Sequence, residues 1–253
     1  MTARLQLEYD GSGFSGWAFQ PGVRTIQGEL ETALATILRR PVALAVAGRT
    51  DTGVHGWAQV ASHEGAAAPL GSLNAVLPPD VAVVRSDDVA EGFDARRDCT
   101  SRAYCYRVLA RPARAALERS RALHWAYAVD FDALCECASL LGGTHDFTAF
   151  TPTDTYHVRF DREVHAAYWR AREDDLLEFW IEADAFMRHM NRTLVGTMLA
   201  VARGRLSVGE FERLLEGRPR HEAGPTAPAH GLHFAGAGYR GERLLTTQHA
   251  DGG

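Results

Sequence analysis

The alternation of apolar and polar residues in the N-terminal half predicts the order strand, helix, strand, strand, helix, strand. Apolar and polar side chains alternate from Arg4 to Tyr9, which is typical of a strand with one face on a core. From Thr25 to Arg39 the apolar positions recur at helical spacing, and Thr25 is a suitable N-cap. Shorter apolar runs predict three more strands, at 41–46, 57–62 and 81–84, and a short helix at 70–77. This order is that of a split βαβ unit, in which an antiparallel sheet carries helices on one face.

The C-terminal half repeats this order without visible sequence identity to the first. Alternation from Arg102 to Leu109 predicts a strand with Tyr104 on one of its faces. A long helix is predicted from Ala185 to Arg203, with Arg188 and Arg192 four residues apart on one side of it. The remaining elements are a helix at 131–141, a hairpin within 164–183, a short helix after Ser207 and a last strand within 227–239. The segment 110–128 fits none of these patterns.

Together these patterns predict an α+β protein with two split-βαβ, ferredoxin-like halves, whose antiparallel sheets join around a central basic cleft. We assign the N-terminal half to residues 1–92 and the C-terminal half to residues 93–240, because a polar, acidic stretch precedes an arginine-rich run near this point. Residues 241–253 are expected to form a flexible tail. The 253 residues are enough for one large domain or two small ones.

The charges are segregated along the chain, although the formal net charge is only −5. Between Ala95 and Arg121 there are eight arginines and two acids, and from Phe186 to Gly209 there are four arginines and no acid. All 27 basic side chains are arginines, which suit bidentate contacts to phosphate. The arginine-rich run is therefore either a surface for RNA or a solvated, merely solubilising face.

Other signals narrow the class of protein. No apolar run approaches the roughly 20 residues that cross a bilayer, and we expect neither a signal peptide nor a membrane protein. The four cysteines lack zinc-site spacing, which favours reduced thiols in a cytoplasmic protein. Cofactor-binding motifs are absent as well. His55 and His63 have no Cys or carboxylate that clearly completes a ligand set, so we predict no metal and no cofactor.

The richest stretch for chemistry is Ala47–Gly56, between two predicted strands. Its glycines permit sharp turns and the close approach of another molecule to the backbone. Asp51 can act there as a nucleophile or base, and Arg49 can pair with that carboxylate or with a phosphate. The alternative is an ordinary Asx-type turn with Arg49 as a solvated surface charge. The spacing alone leaves both alternatives open.

Five motifs together resemble those of the TruA family of tRNA pseudouridine synthases. They are Tyr9-Asp10-Gly11 with Gly16-Trp17, Ala47-Gly48-Arg49-Thr50-Asp51-x-Gly53-Val54-His55, Phe93-Asp94-Ala95-Arg96, Arg188-His189-Met190, and Ala223-Gly224-Pro225-Thr226-Ala227-Pro228-Ala229-x-Gly231-Leu232. They stand in the family order and extend over most of the chain. The resemblance implies a cofactor-free isomerase that converts uridines on the 3′ side of the tRNA anticodon stem-loop, at positions 38 to 40, to pseudouridine. It also implies a homodimer.

The resemblance further implies that Asp51 is the catalytic nucleophile. Arg49 would hold Asp51 or occupy the space of the flipped nucleotide, and Tyr104 would stack on the uracil, unless it is only a sheet-core tyrosine. The expected substrate-binding residues are Arg96, Arg97, Arg188, Arg192 and His55. The chain departs from the family pattern at Thr52, Ala103, Asn191 and Ala18-Phe19, which bears on the fit of the substrate.

Two alternative functions stay open at this point. A catalytically silent RNA-binding module of the same fold would bind RNA without turnover. A hydrolytic aspartate enzyme acting on a small nucleoside would need no basic cleft. Turnover on tRNA separates the predicted synthase from both.

Overall fold

A computed structural model of the chain describes residues 1–155 and 158–245. The described residues form two compact units: Met1–Arg102 with His233–Glu242 form the first, and Ala103–Leu232 with residues 243–245 form the second. The chain therefore passes between the units at Arg102, whereas the sequence placed a boundary near residue 92. Most of the predicted flexible tail, from residue 246 on, lies outside the described residues.

Ten strands and five α-helices follow one another in the described part of the chain. The strands are β1 (Thr2–Tyr9), β2 (Ala45–Val46), β3 (His55–Glu64), β4 (Val81–Val89), β5 (Cys99–Leu109), β6 (Leu123–His124), β7 (Gly143–Asp146), β8 (Asp161–Ala171), β9 (Leu176–Ala183) and β10 (Leu232–Tyr239). The helices are α1 (Ile26–Leu38), α2 (Leu70–Val76), α3 (Phe131–Ser139), α4 (Met190–Val201) and α5 (Val208–Leu214).

The sheet of the first unit has the strand order β4-β1-β3-β10. β1 pairs antiparallel with both β3 and β4, and the short β2 also pairs antiparallel with β3. β10 is the exception, because it runs parallel to β3 through the pairs His233↔His55 and Phe234↔Gly56. The last predicted strand therefore belongs to the unit that carries the Ala47–Gly56 stretch.

The core of the first unit lies between this sheet and α1. Leu30 and Leu34 of α1 are fully buried and belong to one apolar cluster with Leu5 and Leu7 of β1. The predicted cap of the helix is present, since the Thr25 side chain accepts the N–H of Gly28. The apolar spacing of the sequence thus identified correctly which face of α1 is buried.

The sheet of the second unit places β8 between β7 and β9, antiparallel to both, with β5 next to β9. α5 begins with the predicted capping box of Ser207 and Glu210. Within the segment 110–128, β6 pairs parallel with β5. The mixture of helices with mostly antiparallel strands confirms the predicted α+β class.

The predicted start of the long helix is wrong. α4 begins at Met190, because His189 has a left-handed backbone conformation (φ 62°) that cannot continue a helix. Arg188 therefore precedes the helix, and it does not share a helical face with Arg192. Nearly every residue of α4 is buried, so this helix is a core element of the second unit.

Leu244 and Leu245 are bound to the second unit. Glu182 is fully buried, and its carboxylate accepts the N–H of Leu244 (2.9 Å) and of Leu245 (2.8 Å). The last two described residues of the predicted tail are thus held by a buried carboxylate. No helix within residues 1–155 and 158–245 is long and apolar enough to cross a membrane.

Candidate active site

Asp51 lies in the connection between β2 and β3, on a tight turn. The backbone oxygen of Asp51 accepts the N–H of Val54 at 3.1 Å, which closes a four-residue turn. Gly53, the third residue of this turn, has a positive φ of +79°, which glycine adopts without strain. Asp51 itself is half-buried, between the buried Thr50 and the exposed Thr52. The predicted turn and a predicted reactive carboxylate are therefore compatible with each other.

A buried polar network fixes the residues before Asp51. The hydroxyl groups of Tyr9 and Thr50 are 2.9 Å apart, and the amide of Gln59 donates to the Tyr9 oxygen (3.3 Å) and to the Gly48 carbonyl (2.8 Å). Burial raises the pKa of Tyr9 to about 12, so its hydroxyl keeps its proton at neutral pH. The polar Gln59 at an inward position of a predicted strand was the sequence signal for this network, and it was missed.

The glycine-rich loop after β1 supports the Asp51 turn from the other side. The N–H of Trp17 donates to the Thr50 carbonyl at 2.9 Å. Gly16 has a φ of +90°, and a Cβ atom there would lie 2.9 Å from the Thr50 oxygen and 3.3 Å from the carbonyl carbon of Asp51. Only glycine permits this approach, which explains the spacing of the Gly16-Trp17 motif.

His55 links the same two loops through a buried imidazole. Its ring is 2% exposed, its Nδ1 accepts the N–H of Gly11 at 3.1 Å, and it stacks on His233 with a centroid distance of 4.7 Å. The same Nδ1 lies 3.3 Å from an Asp10 carboxylate oxygen. These contacts of His55, to Gly11 and to His233, both lie within the first unit.

The predicted phosphate-binding arginines of the first unit lie in two places. Arg49 is exposed beside Asp51, and Arg96 and Arg97 are exposed in the loop before β5. Arg97 forms an ion pair with Asp98 (2.9 Å), which holds the pKa of that carboxyl below its usual range. A residue that the sequence did not single out, Arg102, donates through Nε to the Ala47 carbonyl at 3.0 Å.

The second unit holds the other three candidates. Tyr104 lies on β5, 7% exposed, with its ring edge-to-face against Phe186 at 5.0 Å. Arg192, in the first turn of α4, donates to the carbonyl of Ala227 at 2.7 Å. Arg188 forms an ion pair with Asp154 and lowers the pKa of that carboxyl.

The first unit thus offers a half-buried carboxylate on a backbone that several hydrogen bonds hold in place, with exposed arginines in the same unit. A fixed carboxylate can act by covalent catalysis or as a general base, and the arginines can hold phosphate. In the part of the chain that the structure describes, no group of three or more His, Cys, Asp or Glu side chains is arranged to hold a metal ion. The four cysteines are free thiols.

The family model and three relatives that match this chain are all described as tRNA pseudouridine synthases. A family model described as tRNA pseudouridine synthase matches residues 137–240. The chain is 39% identical over 244 residues to tRNA pseudouridine synthase A of Myxococcus xanthus, covering 94% of this chain and 91% of the relative. It is also 36% identical to tRNA pseudouridine synthase A of Bacillus pumilus (92% and 97% covered) and 38% identical to that of Chromobacterium violaceum (98% and 97% covered). These matches include both units of the chain.

Proposed function

The chain belongs to the tRNA pseudouridine synthase family, and from that premise we propose that Asp51 is its catalytic nucleophile. The chain is an isomerase that converts uridine to pseudouridine in tRNA. A silent RNA-binding module is not favoured, since the relatives are named as synthases over nearly their whole length. The observation that carries the role of Asp51 is its place on the turn between Thr50 and Val54, where the backbone is fixed on both sides.

The reaction can be completed with the atoms of the substrate alone. The bond between N1 of uracil and the ribose carbon breaks, the uracil turns, and C5 forms a new bond to the same ribose carbon. The proton leaves C5, and N1 gains one, so the reaction is balanced without a co-substrate. The carboxylate of Asp51 attacks either the uracil ring or the ribose carbon and forms a covalent bond to that one atom. This bond breaks again before the product leaves, so the carboxylate is regenerated.

Tyr104 is proposed to stack on the uracil and to assist the loss of the C5 proton. Its position supports this role, because the edge contact of Phe186 fixes the plane of the ring. A tyrosine ring whose plane is already fixed loses little further conformational entropy when a base stacks on it. Arg49 is proposed to hold Asp51 or to fill the space that the flipped nucleotide leaves.

Binding of the anticodon stem-loop is proposed to rely on arginine contacts to phosphate. Flipping a uridine out of a stem costs roughly a few kcal/mol, and phosphate contacts offset that cost. Arg96 and Arg97 are the exposed candidates for such contacts in the first unit, and Arg188 and Arg192 are the candidates in the second. His55 contributes by holding the loop at Gly11. We also infer a homodimer in the cytoplasm, as the family resemblance implies.

The test is tritium release from C5-labelled uridine in a tRNA transcript, with free uridine as a second substrate. We expect release from tRNA by the unmodified protein, loss of release in Asp51→Ala and Asp51→Asn, and unchanged tRNA binding by both variants. Glu91→Gln, which removes an exposed acid elsewhere in the first unit, is the matched control and should keep full activity.

Other outcomes would overturn the proposal. Turnover by Asp51→Ala would remove Asp51 from the chemistry. Base release from free uridine would indicate a hydrolase, and tRNA binding without any tritium release would indicate a silent RNA-binding module.

A further inference from the structure

Arg102 binds the backbone of two loops at once. Its guanidinium donates through Nε to the Ala47 carbonyl (3.0 Å), through Nη2 to the Arg96 carbonyl (3.2 Å) and through Nη1 to the Cys99 carbonyl (3.3 Å). All four residues belong to the first unit. Hydrogen bonds from a charged donor are roughly twice as strong as neutral ones, so these contacts are a firm connection between the two loops.

The first of these contacts fixes the start of the Asp51 loop. Ala47 is 2% exposed, and its N–H already donates to the Val60 carbonyl of β3 at 2.9 Å. Arg102 binds the opposite polar group of the same residue, four positions before Asp51. Both backbone groups of Ala47 are therefore satisfied, and the loop leaves β2 in one defined direction.

The second contact fixes the arginine loop, which we define as residues 94–98. The Asp94 carboxylate accepts the N–H groups of Arg96 and Arg97, each at 2.8 Å, and the loop is closed by the N–H of Asp98 on the Asp94 carbonyl (3.0 Å). At Ala95, the N–H donates to the Ser62 hydroxyl and the carbonyl accepts the Tyr239 hydroxyl, both at 2.9 Å. The arginine loop is thus a rigid piece that presents Arg96 and Arg97 to solvent.

We propose that Arg102 is a positioning residue that sets the spacing between Asp51 and the phosphate-binding arginine loop. A tRNA backbone held by Arg96 and Arg97 then lies at a fixed distance from the catalytic carboxylate. A lysine cannot replace Arg102 fully, because a compact ammonium lacks the planar fork that reaches carbonyl groups in separate loops. This inference rests on the proposed roles of Asp51, Arg96 and Arg97.

The expected effect is on the rate of the chemical step. If the loop moves by about 1 Å, productive alignment is lost, which costs on the order of a hundredfold in rate. Arg102→Ala should therefore lower kcat at saturating tRNA by about tenfold to a hundredfold, with the tRNA dissociation constant within about twofold of the unmodified protein. Arg102→Lys should be intermediate in kcat. Arg85→Ala removes an exposed arginine that pairs with Asp87 in the same unit, and it should change neither quantity.

The experiment combines single-turnover tritium release, filter binding of tRNA and hydrogen exchange on the full chain. The proposal expects faster exchange in both the 47–51 and 94–98 segments of Arg102→Ala, together with the selective loss in kcat. A raised dissociation constant with unchanged kcat would overturn it and make Arg102 an RNA contact. Unchanged kcat with unchanged binding would also overturn it.

Two further comparisons keep the test decisive. If Arg102→Ala does not fold, Arg102→Lys decides: a folded variant with reduced kcat supports the proposal, and a folded variant with normal kcat overturns it. Asp51→Ala, run in parallel, distinguishes a failure of the proposed role of Asp51 from a failure of the proposed role of Arg102. Turnover by Asp51→Ala would overturn the proposed role of Asp51, whereas a failure confined to the Arg102 variants would overturn only the positioning role.

Discussion

The change Tyr9→Phe tests the buried network that holds the Asp51 turn. Tyr9 is 5% exposed, and its ring packs on Trp17 at a centroid distance of 6.0 Å, which a phenylalanine ring preserves. The lost atom is the hydroxyl oxygen, which lies 2.9 Å from the Thr50 hydroxyl and 3.3 Å from the Gln59 amide. Gln59 keeps the Gly48 carbonyl as a partner, so the buried Thr50 hydroxyl is the group that loses most.

The expected destabilisation follows from the loss of the hydrogen-bond partner of the Thr50 hydroxyl. Leaving a buried polar group without its partner costs about 1–3 kcal/mol. A destabilisation of about 2 kcal/mol lowers Tm by about 4–8 °C in a chain of this size. Thermal unfolding followed by circular dichroism measures this shift, and tritium release from tRNA measures the accompanying loss of kcat.

A double-mutant cycle provides the refutation. Thr50→Val removes the other hydroxyl with little change in shape, so Tyr9→Phe with Thr50→Val leaves neither of these two groups unsatisfied. We expect the double variant to lose clearly less stability than the sum of the single variants. Additive losses would show that the two hydroxyls do not stabilise each other, and the network would then not explain how Thr50 is held.

The same variant has a defined pH dependence. Burial raises the pKa of Tyr9 to about 12, above the value of about 10 for a tyrosine in an unfolded chain. The protonated hydroxyl therefore contributes its full stability below pH 10, and the contribution is lost as the pH rises through 12. Tyr9→Phe has no such group, so its stability deficit should shrink between about pH 10 and 12. A deficit that stays constant over this range would contradict the assignment.

Two further predictions concern the loop after β1 and the first turn of α4. Gly16→Ala should destabilise the protein by about 1–3 kcal/mol and reduce turnover, because the added Cβ atom would meet the Thr50 oxygen and the φ angle is strained for alanine. Gly22→Ala is the control in thermal unfolding, since its φ is also positive but no atom lies within 4 Å of the added Cβ. It should destabilise the protein less than Gly16→Ala does. Arg192→Ala should weaken tRNA binding and make it less steeply dependent on salt, by about one phosphate contact. The control is Arg218→Ala, which removes an exposed arginine paired with Glu222 and should leave the salt dependence of tRNA binding unchanged. An unchanged salt dependence in Arg192→Ala would exclude Arg192 from the phosphate contacts.

Local sequence patterns predicted most of the elements and the place of Asp51 between two strands. Periodicity identifies which side chains face a core, and this is how α1 and β1 were identified. It carries no information on a single left-handed residue such as His189, and so the start of α4 was misplaced. The motif spacing in the Ala47–Gly56 stretch was informative because glycine and aspartate have strong local preferences in turns.

Contacts between distant segments could not be read from the sequence. Two of the three carbonyl groups bound by Arg102, those of Ala47 and Arg96, lie in loops that are far apart in the chain, and backbone carbonyls leave no residue-type signature. The hydrogen bond that the buried ring of His55 accepts from Gly11 likewise joins two segments that are far apart in the chain. In each of these hydrogen bonds the partner is a backbone group, whose position only the folded chain defines.

The parallel pairing of β10 with β3 has a consequence for biosynthesis. On the ribosome, residues 1–102 emerge first, but the strand that completes their sheet begins only at Leu232. Until then, the β3 segment at His55 and Gly56 lacks its parallel neighbour, and His55 lacks the ring of His233. A nascent chain therefore carries an incomplete strand edge next to Asp51, of the kind that associates with other chains. The β3 segment at His55 and Gly56 therefore gains its parallel neighbour only after Leu232 and the residues that follow it have been synthesised.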